Sequence, residues 1–199
     1  MTTLEPEPAE VVERNLAVGA RLGAGATTFV FFCPFFAYFY LRSLNEVRTW
    51  PPPGVDPPQG LGAAVMLLVL ASSIALLLAA RPVRGWSWLP LVALSFVLGL
   101  AGVAVQCVEY TRLGFGPTDG AYASIFVTWT GLTALFVFGT MLWLETLLAY
   151  GLRTRRASSR GDERDDALAL IRPRLGALAF YYVYLAGLGV VMWAVLYLA

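Results

Sequence analysis

The chain has 199 residues, 58% hydrophobic and 14% charged, with 14 basic against 13 acidic side chains and a formal net charge of +1. A soluble domain carries about 25% charged residues, and a charge near zero offers no basic surface for nucleic acid. Every basic residue is Arg, with no Lys and no His, which removes the commonest general base, the commonest transition-metal and haem ligand and any Lys Schiff base.

Residues 1–15 hold Glu5, Glu7, Glu10 and Glu13 and read as an acidic N-terminal arm. An acidic start, where a secretory signal peptide would have a basic one, argues against such a signal. Apolar runs follow at 18–42, 61–80, 86–109, 122–150 and 175–198, each close to the roughly 20 residues that a bilayer-spanning helix needs. They predict an all-α, polytopic membrane protein, with a single five-helix transmembrane domain over 16–199. The first run contains Gly19 and Gly23 in a spacing that allows close helix approach, and an aromatic stretch, Phe29–Tyr40, suited to lipid contact and helix packing. Pro34 in this run and Pro90 in the third are candidate kinks, but no midplane charge joins either, as a transporter site would require. Cys33 and Cys107 differ in predicted depth by roughly 10 Å, too far for a disulfide. They read as free thiols packed like small hydrophobes.

The connections differ in character. The segment Trp50–Pro58 is too rich in Pro for a helix and predicts an extended polyproline strand. Residues 81–85 predict a short turn that makes the second and third helices an antiparallel hairpin. Gly116, Pro117, Asp119 and Gly120 carry a turn signature. The connection 151–174 mixes charges, and a short amphipathic helix over 165–171, ended by Pro173, is expected there.

Arg placement sets the predicted orientation. With the N-terminus cytoplasmic, Arg14, Arg21, Arg81, Arg84, Arg153, Arg155, Arg156, Arg160, Arg164, Arg172 and Arg174 lie inside, while Arg42, Arg48 and Arg112 lie outside. The positive-inside rule favours this arrangement, with the C-terminus on the periplasmic or outer side. Ionisable groups within the apolar runs are the usual functional candidates. Arg21 and Glu145 approach the same inner face and could pair, and so could Arg42 and Glu109 at the outer face. Snorkelling to solvated headgroups is the alternative for all four. None lies at mid-depth, which argues against an autonomous ion pump.

Motif order adds a more specific likeness. The first helix ends Ala37-Tyr38-Phe39-Tyr40-Leu41-Arg42 and is followed by Trp50-Pro51-Pro52-Pro53-Gly54. The third ends Gln106-Cys107-Val108-Glu109-Tyr110, and after a loop come Gly116-Pro117-Thr118-Asp119-Gly120 and Thr130-Gly131-Leu132. From about Gly19 onward this resembles subunit III of the haem-copper oxidases, cytochrome c oxidase type, in its five-helix bacterial form. Outer-face residues of the family pattern, Trp50, Tyr110 and Asp119, are present. Its membrane-embedded ionisable groups are not. The usual Glu of the first helix falls on Thr27, the two His of the fourth on Thr133 and Phe136, and the Trp-His and Asp of the last on Ala186, Gly187 and Val190.

The resemblance implies an accessory subunit without a catalytic centre in the bacterial inner membrane, packed on subunit I to support its stability and proton uptake during aerobic respiration. It would bind no cofactor of its own. Haem and copper are expected in the partner subunits I and II, phospholipid in a groove between helices, and a larger respiratory supercomplex as a further partner. No nucleic-acid partner is implied. Two other readings fit the same residues: a subunit III-like component of a nitric oxide reductase or another respiratory complex, and a free-standing membrane transporter or assembly factor.

Overall fold

Long apolar runs in lipid must satisfy their backbone polar groups internally, and helices do so within one segment. The computed structural model describes residues 9–45, 50–81, 87–157 and 161–198, and over 161–170 it describes the backbone path only. These residues form α1 (Ala9–Ser43), α2 (Gln59–Ala79), α3 (Trp88–Arg112), α4 (Ala121–Ala157) and α5 (Gly161–Tyr197), with no strand among them. All five helices are long and apolar enough to cross a membrane.

The helices exceed the apolar runs that nucleate them. Helix α1 starts at Ala9, so residues 9–15 of the expected acidic arm continue the first spanning helix. Its Glu10 lies in the first turn and its Arg42 in the last, each with the charge that complements the helix dipole. Helices α4 and α5 have 37 residues each, about 55 Å at 1.5 Å per residue, against a hydrocarbon core of about 30 Å. The separate amphipathic helix expected over 165–171 is instead the first part of α5, and Pro173 lies inside that helix rather than ending it. Proline removes one backbone bond, a loss that a long helix anchored by packing on both sides can absorb. Pro90 is the third residue of α3, where its missing N–H would have had no helical partner. The expected turn over 81–85 lies, apart from Arg81, outside the described residues.

The proline segment is more compact than a polyproline strand. Pro52 O accepts from Val55 N at 3.1 Å, Gly54 has φ +85°, and Val55 is buried. Proline ahead of a positive-φ glycine is the pattern of a type II turn. The second loop turns as expected: Asp119 N donates to Gly116 O at 3.1 Å, and Gly116 N donates to Asp119 Oδ2 at 2.6 Å.

Helix α5 is the hub. It packs on α1, α2 and α4, while α2 lies along α3, α3 along α4, and α1 also against α4. Leu178, Tyr182 and Leu185 on α5 are completely buried. Small residues let backbones approach where lipid tails compete equally for apolar surface. A Cβ on Gly102 would meet Val69 Cγ2 at 3.2 Å, which is how α3 and α2 come together. Of the Gly19–Gly23 pair only Gly23 faces a neighbour, the Tyr181 ring.

Candidate functional site

Some polar side chains, such as Ser73 and Thr140, bond back to their own helix, and others join one helix to another. At the bundle centre Tyr182 of α5 donates to Ser72 Oγ of α2 at 3.0 Å, and Ser72 donates to Ser95 O of α3 at 2.6 Å. Ser72 and Ser95 are completely buried. Replacing Ser72 with Ala strands the Tyr182 hydroxyl, and the unfolding midpoint in detergent should fall by the equivalent of about 1–2 kcal/mol. The double variant Ser72→Ala/Tyr182→Phe should recover most of that loss; equal losses for single and double variants would refute the bond's contribution.

At the proline-loop end a second cluster joins α3 to α5. Glu109 has 0% exposure. Its Oε2 accepts from Gln106 Nε2 at 2.6 Å and its Oε1 from the Tyr197 hydroxyl at 2.6 Å. The expected headgroup position and the pairing with Arg42 are therefore corrected: Arg42 is exposed on α1, and both Glu109 oxygens are taken by neutral donors. Arg21 and Glu145 are both exposed, and no ion pair joins them among the described residues. Tyr110 shares a hydrogen bond with Thr130 Oγ1 at 2.8 Å, joining α3 to α4. Trp50 packs edge-on against Tyr38 and Tyr122, with ring centroids 5.7 and 5.6 Å away. Asp119 closes its own turn and is exposed.

The positions aligned with the family's embedded ionisable groups divide into two kinds. Thr27 is buried, donates to Gly23 O at 2.9 Å and shares a hydrogen bond with Tyr181 at 3.0 Å. Thr133 is buried beside Met192, its hydroxyl 3.0 Å from Trp129 O. Phe136 stands edge-on to Phe31 at 5.5 Å. Gly187 and Val190 are exposed on α5, and a Cβ at Gly187 would meet nothing within 4 Å. Cys33 and Cys107 are free thiols, yet both are exposed on their helices rather than packed inside. The aromatic stretch divides as its spacing implies: Phe31 and Tyr38 are buried, while Phe29, Phe32, Phe36, Phe39 and Tyr40 face outward.

The Glu109 clasp was not read from the sequence. Gln106 and Glu109 stand three apart on one helix face, a local signal for their bond, but nothing local identifies Tyr197, 88 residues away. Among the described residues no cluster of three or more His, Cys, Asp or Glu could hold a metal ion.

Fold and contacts together define a polytopic helical membrane protein in which several intramembrane polar groups tie helix to helix. The profile of cytochrome c oxidase subunit III matches residues 2–156, and the chain belongs to that family. Cytochrome c oxidase subunit 3 of Ornithorhynchus anatinus is 29% identical over 155 residues, covering 73% of this chain and 59% of that protein. The subunit 3 of Petromyzon marinus is 32% identical over 127 residues, 59% of this chain and 49% of that one. Cytochrome bo(3) ubiquinol oxidase subunit 3 of Pseudomonas aeruginosa is 31% identical over 140 residues, 65% of each. The chain spans 59% or less of the length of these two animal relatives.

Proposed function

We propose that this chain is the accessory subunit III of a respiratory haem-copper oxidase in a bacterial inner membrane, packed on subunit I with subunit II in the same complex. The observation that carries the reading is family membership over residues 2–156. With no His in the chain, the usual haem and copper ligation falls to the partners. The work left to a bundle of this kind is to cover part of subunit I, exclude water from it, and sustain proton uptake and enzyme lifetime during oxygen reduction. Phospholipid would line its outer grooves, one of which, about 460 Å³, is walled by Leu77, Phe180 and Val183 with Arg81 among its lining residues. An oxidase fed by ubiquinol is a second reading, favoured by the name of the Pseudomonas relative. Assaying the purified complex with reduced cytochrome c and with ubiquinol separates the two.

The test is an oxidase preparation with and without this subunit, followed over many turnovers. Haem spectrum and initial oxygen consumption should stay largely intact, while turnover decays faster or proton uptake weakens. No change in rate, lifetime or proton uptake would refute the accessory role and favour a free-standing membrane protein. Co-purification with a nitric oxide reductase would move the chain to that complex.

Orientation belongs to the same reading. With 11 of 14 Arg predicted on one side, a cysteine placed at Ser158 should be labelled only from the cytoplasm and one placed at Gly116 only from outside. Labelling of the Ser158 site in intact cells would reverse the topology.

A further inference from the structure

A cavity of about 470 Å³ opens at the proline-loop end, between the Trp50–Pro58 segment, the start of α2 and the last turn of α5, within the size range of small-ligand sites. Its chemistry favours one charge sign. Asp56, exposed, contributes a carboxylate, and among the described residues no basic side chain lines the cavity. Helix α5 ends there and presents the carbonyls of its final turn. These carry the negative end of the helix dipole. Two of them already accept from neighbouring donors, Tyr122 to Leu196 O at 2.6 Å and Gln59 Nε2 to Tyr197 O at 3.4 Å.

Of the remaining wall, Trp50, Tyr122 and Tyr197 are aromatic, and Pro51, Pro57, Leu196 and Leu198 are aliphatic. Trp50 and Tyr122 both line the cavity, with their rings 5.6 Å apart and at 82° to each other. Tyr38 braces the pair from behind, its ring centroid 5.7 Å from that of Trp50 and 6.4 Å from that of Tyr122. Tyr122 is 1% exposed and serves as backing, so the half-buried Trp50 ring is the aromatic surface open to the cavity, and such a ring attracts an organic cation. A single carboxylate is a poor set for a hard divalent ion, which takes six or more oxygens. An alkylammonium group, charged yet clothed in methyl or methylene groups, suits both kinds of wall.

We propose that the cavity formed by Trp50, Asp56, Gln59, Tyr122 and the end of α5 binds an organic ammonium group. That group arrives either on the headgroup of a zwitterionic lipid in the adjoining leaflet or as a small free ion. The site is independent of the oxidase reading, because it depends only on this chain's own residues.

The full chain, purified in a maltoside detergent and free of amine buffers, is dialysed to equilibrium against labelled tetramethylammonium. Saturable binding is expected. Asp56→Asn should weaken it about fivefold, as loss of a neighbouring charge in a partly solvated site implies. Trp50→Leu should weaken it about as much through the lost ring face. Helical circular dichroism verifies each variant, and because Asp56 is exposed its substitution leaves the core untouched. Competition by dihexanoyl phosphatidylcholine but not by dihexanoyl phosphatidylglycerol assigns the site to a lipid headgroup. Competition by free choline without any by the phosphatidylcholine assigns it to a soluble ion. Absence of saturable binding, or binding unchanged in both Asp56→Asn and Trp50→Leu, overturns the proposal.

Discussion

Replacing Gly62 with Val should cost the bundle about 2–5 kcal/mol, and should do so at the end of the molecule where α2, α3 and α5 meet. A Cβ at Gly62 would lie 2.5 Å from Tyr197 Cε1 and 2.7 Å from its hydroxyl oxygen. That ring cannot retreat cheaply. Its hydroxyl is bonded to Glu109, one neighbour is the Phe126 ring at 5.4 Å, and another is Trp193, stacked at 6.2 Å. Overpacking alone costs about 1–3 kcal/mol, and pushing Tyr197 aside strips Glu109 of a donor, adding about 1–2 kcal/mol. The measurement is the unfolding midpoint of the purified protein in detergent, compared with Gly60→Val. Gly60 is exposed two residues earlier on the same helix, and a Cβ there would meet nothing within 4 Å. Adding Tyr197→Ala to Gly62→Val should relieve the steric part of the loss. Equal midpoints for the Gly60 and Gly62 variants would show that the two helices do not approach as described.

That contrast between two glycines shows where sequence reading stops. The five spans were legible because lipid imposes one simple rule on backbone hydrogen bonds, so that length and apolarity alone identify a helix. The turn at Gly116–Gly120 was legible because its residues carry their own conformational preference. Helix ends were less so. Polar residues beyond the apolar runs, such as 9–15 and 151–157, continue their helices because nothing in the chain stops them, and Pro173 is tolerated where isolated propensity would end a helix. Three prolines favour an extended segment, whereas Gly54 with φ +85° closes the turn at Pro52–Val55. Contacts between distant residues leave no local trace. Gly60 and Gly62 look alike in the sequence, and only the position of Tyr197 makes one of them indispensable. A carboxyl near a helix end reads equally as an ion-pair partner or a headgroup contact, and the burial of Glu109 follows from α5, whose Tyr197 bonds it.

Glu109 also yields a test that separates the buried clasp from a surface ion pair. As a clasp, its two oxygens serve as acceptors for Gln106 and Tyr197, and what matters is their presence rather than a partner's positive charge. Glu109→Gln keeps an acceptor for Tyr197 at nearly the same volume and should cost less than about 1 kcal/mol. Glu109→Leu leaves the Gln106 amide and the Tyr197 hydroxyl buried without an acceptor and should cost about 2–4 kcal/mol, taking about 1–2 kcal/mol for each stranded group. A double-mutant cycle between Glu109→Leu and Tyr197→Phe should show a coupling of about 1 kcal/mol, the usual scale for an interhelical hydrogen bond in a membrane protein. Arg42→Gln should be silent in the same assay, and the Glu109→Leu loss should not vary with salt. A surface pair would give the reverse pattern, with Arg42→Gln and Glu109→Gln equally costly and both effects fading as ionic strength rises. Observation of that reverse pattern would return Glu109 to the headgroup region and remove the bond that fastens the end of α5 to α3.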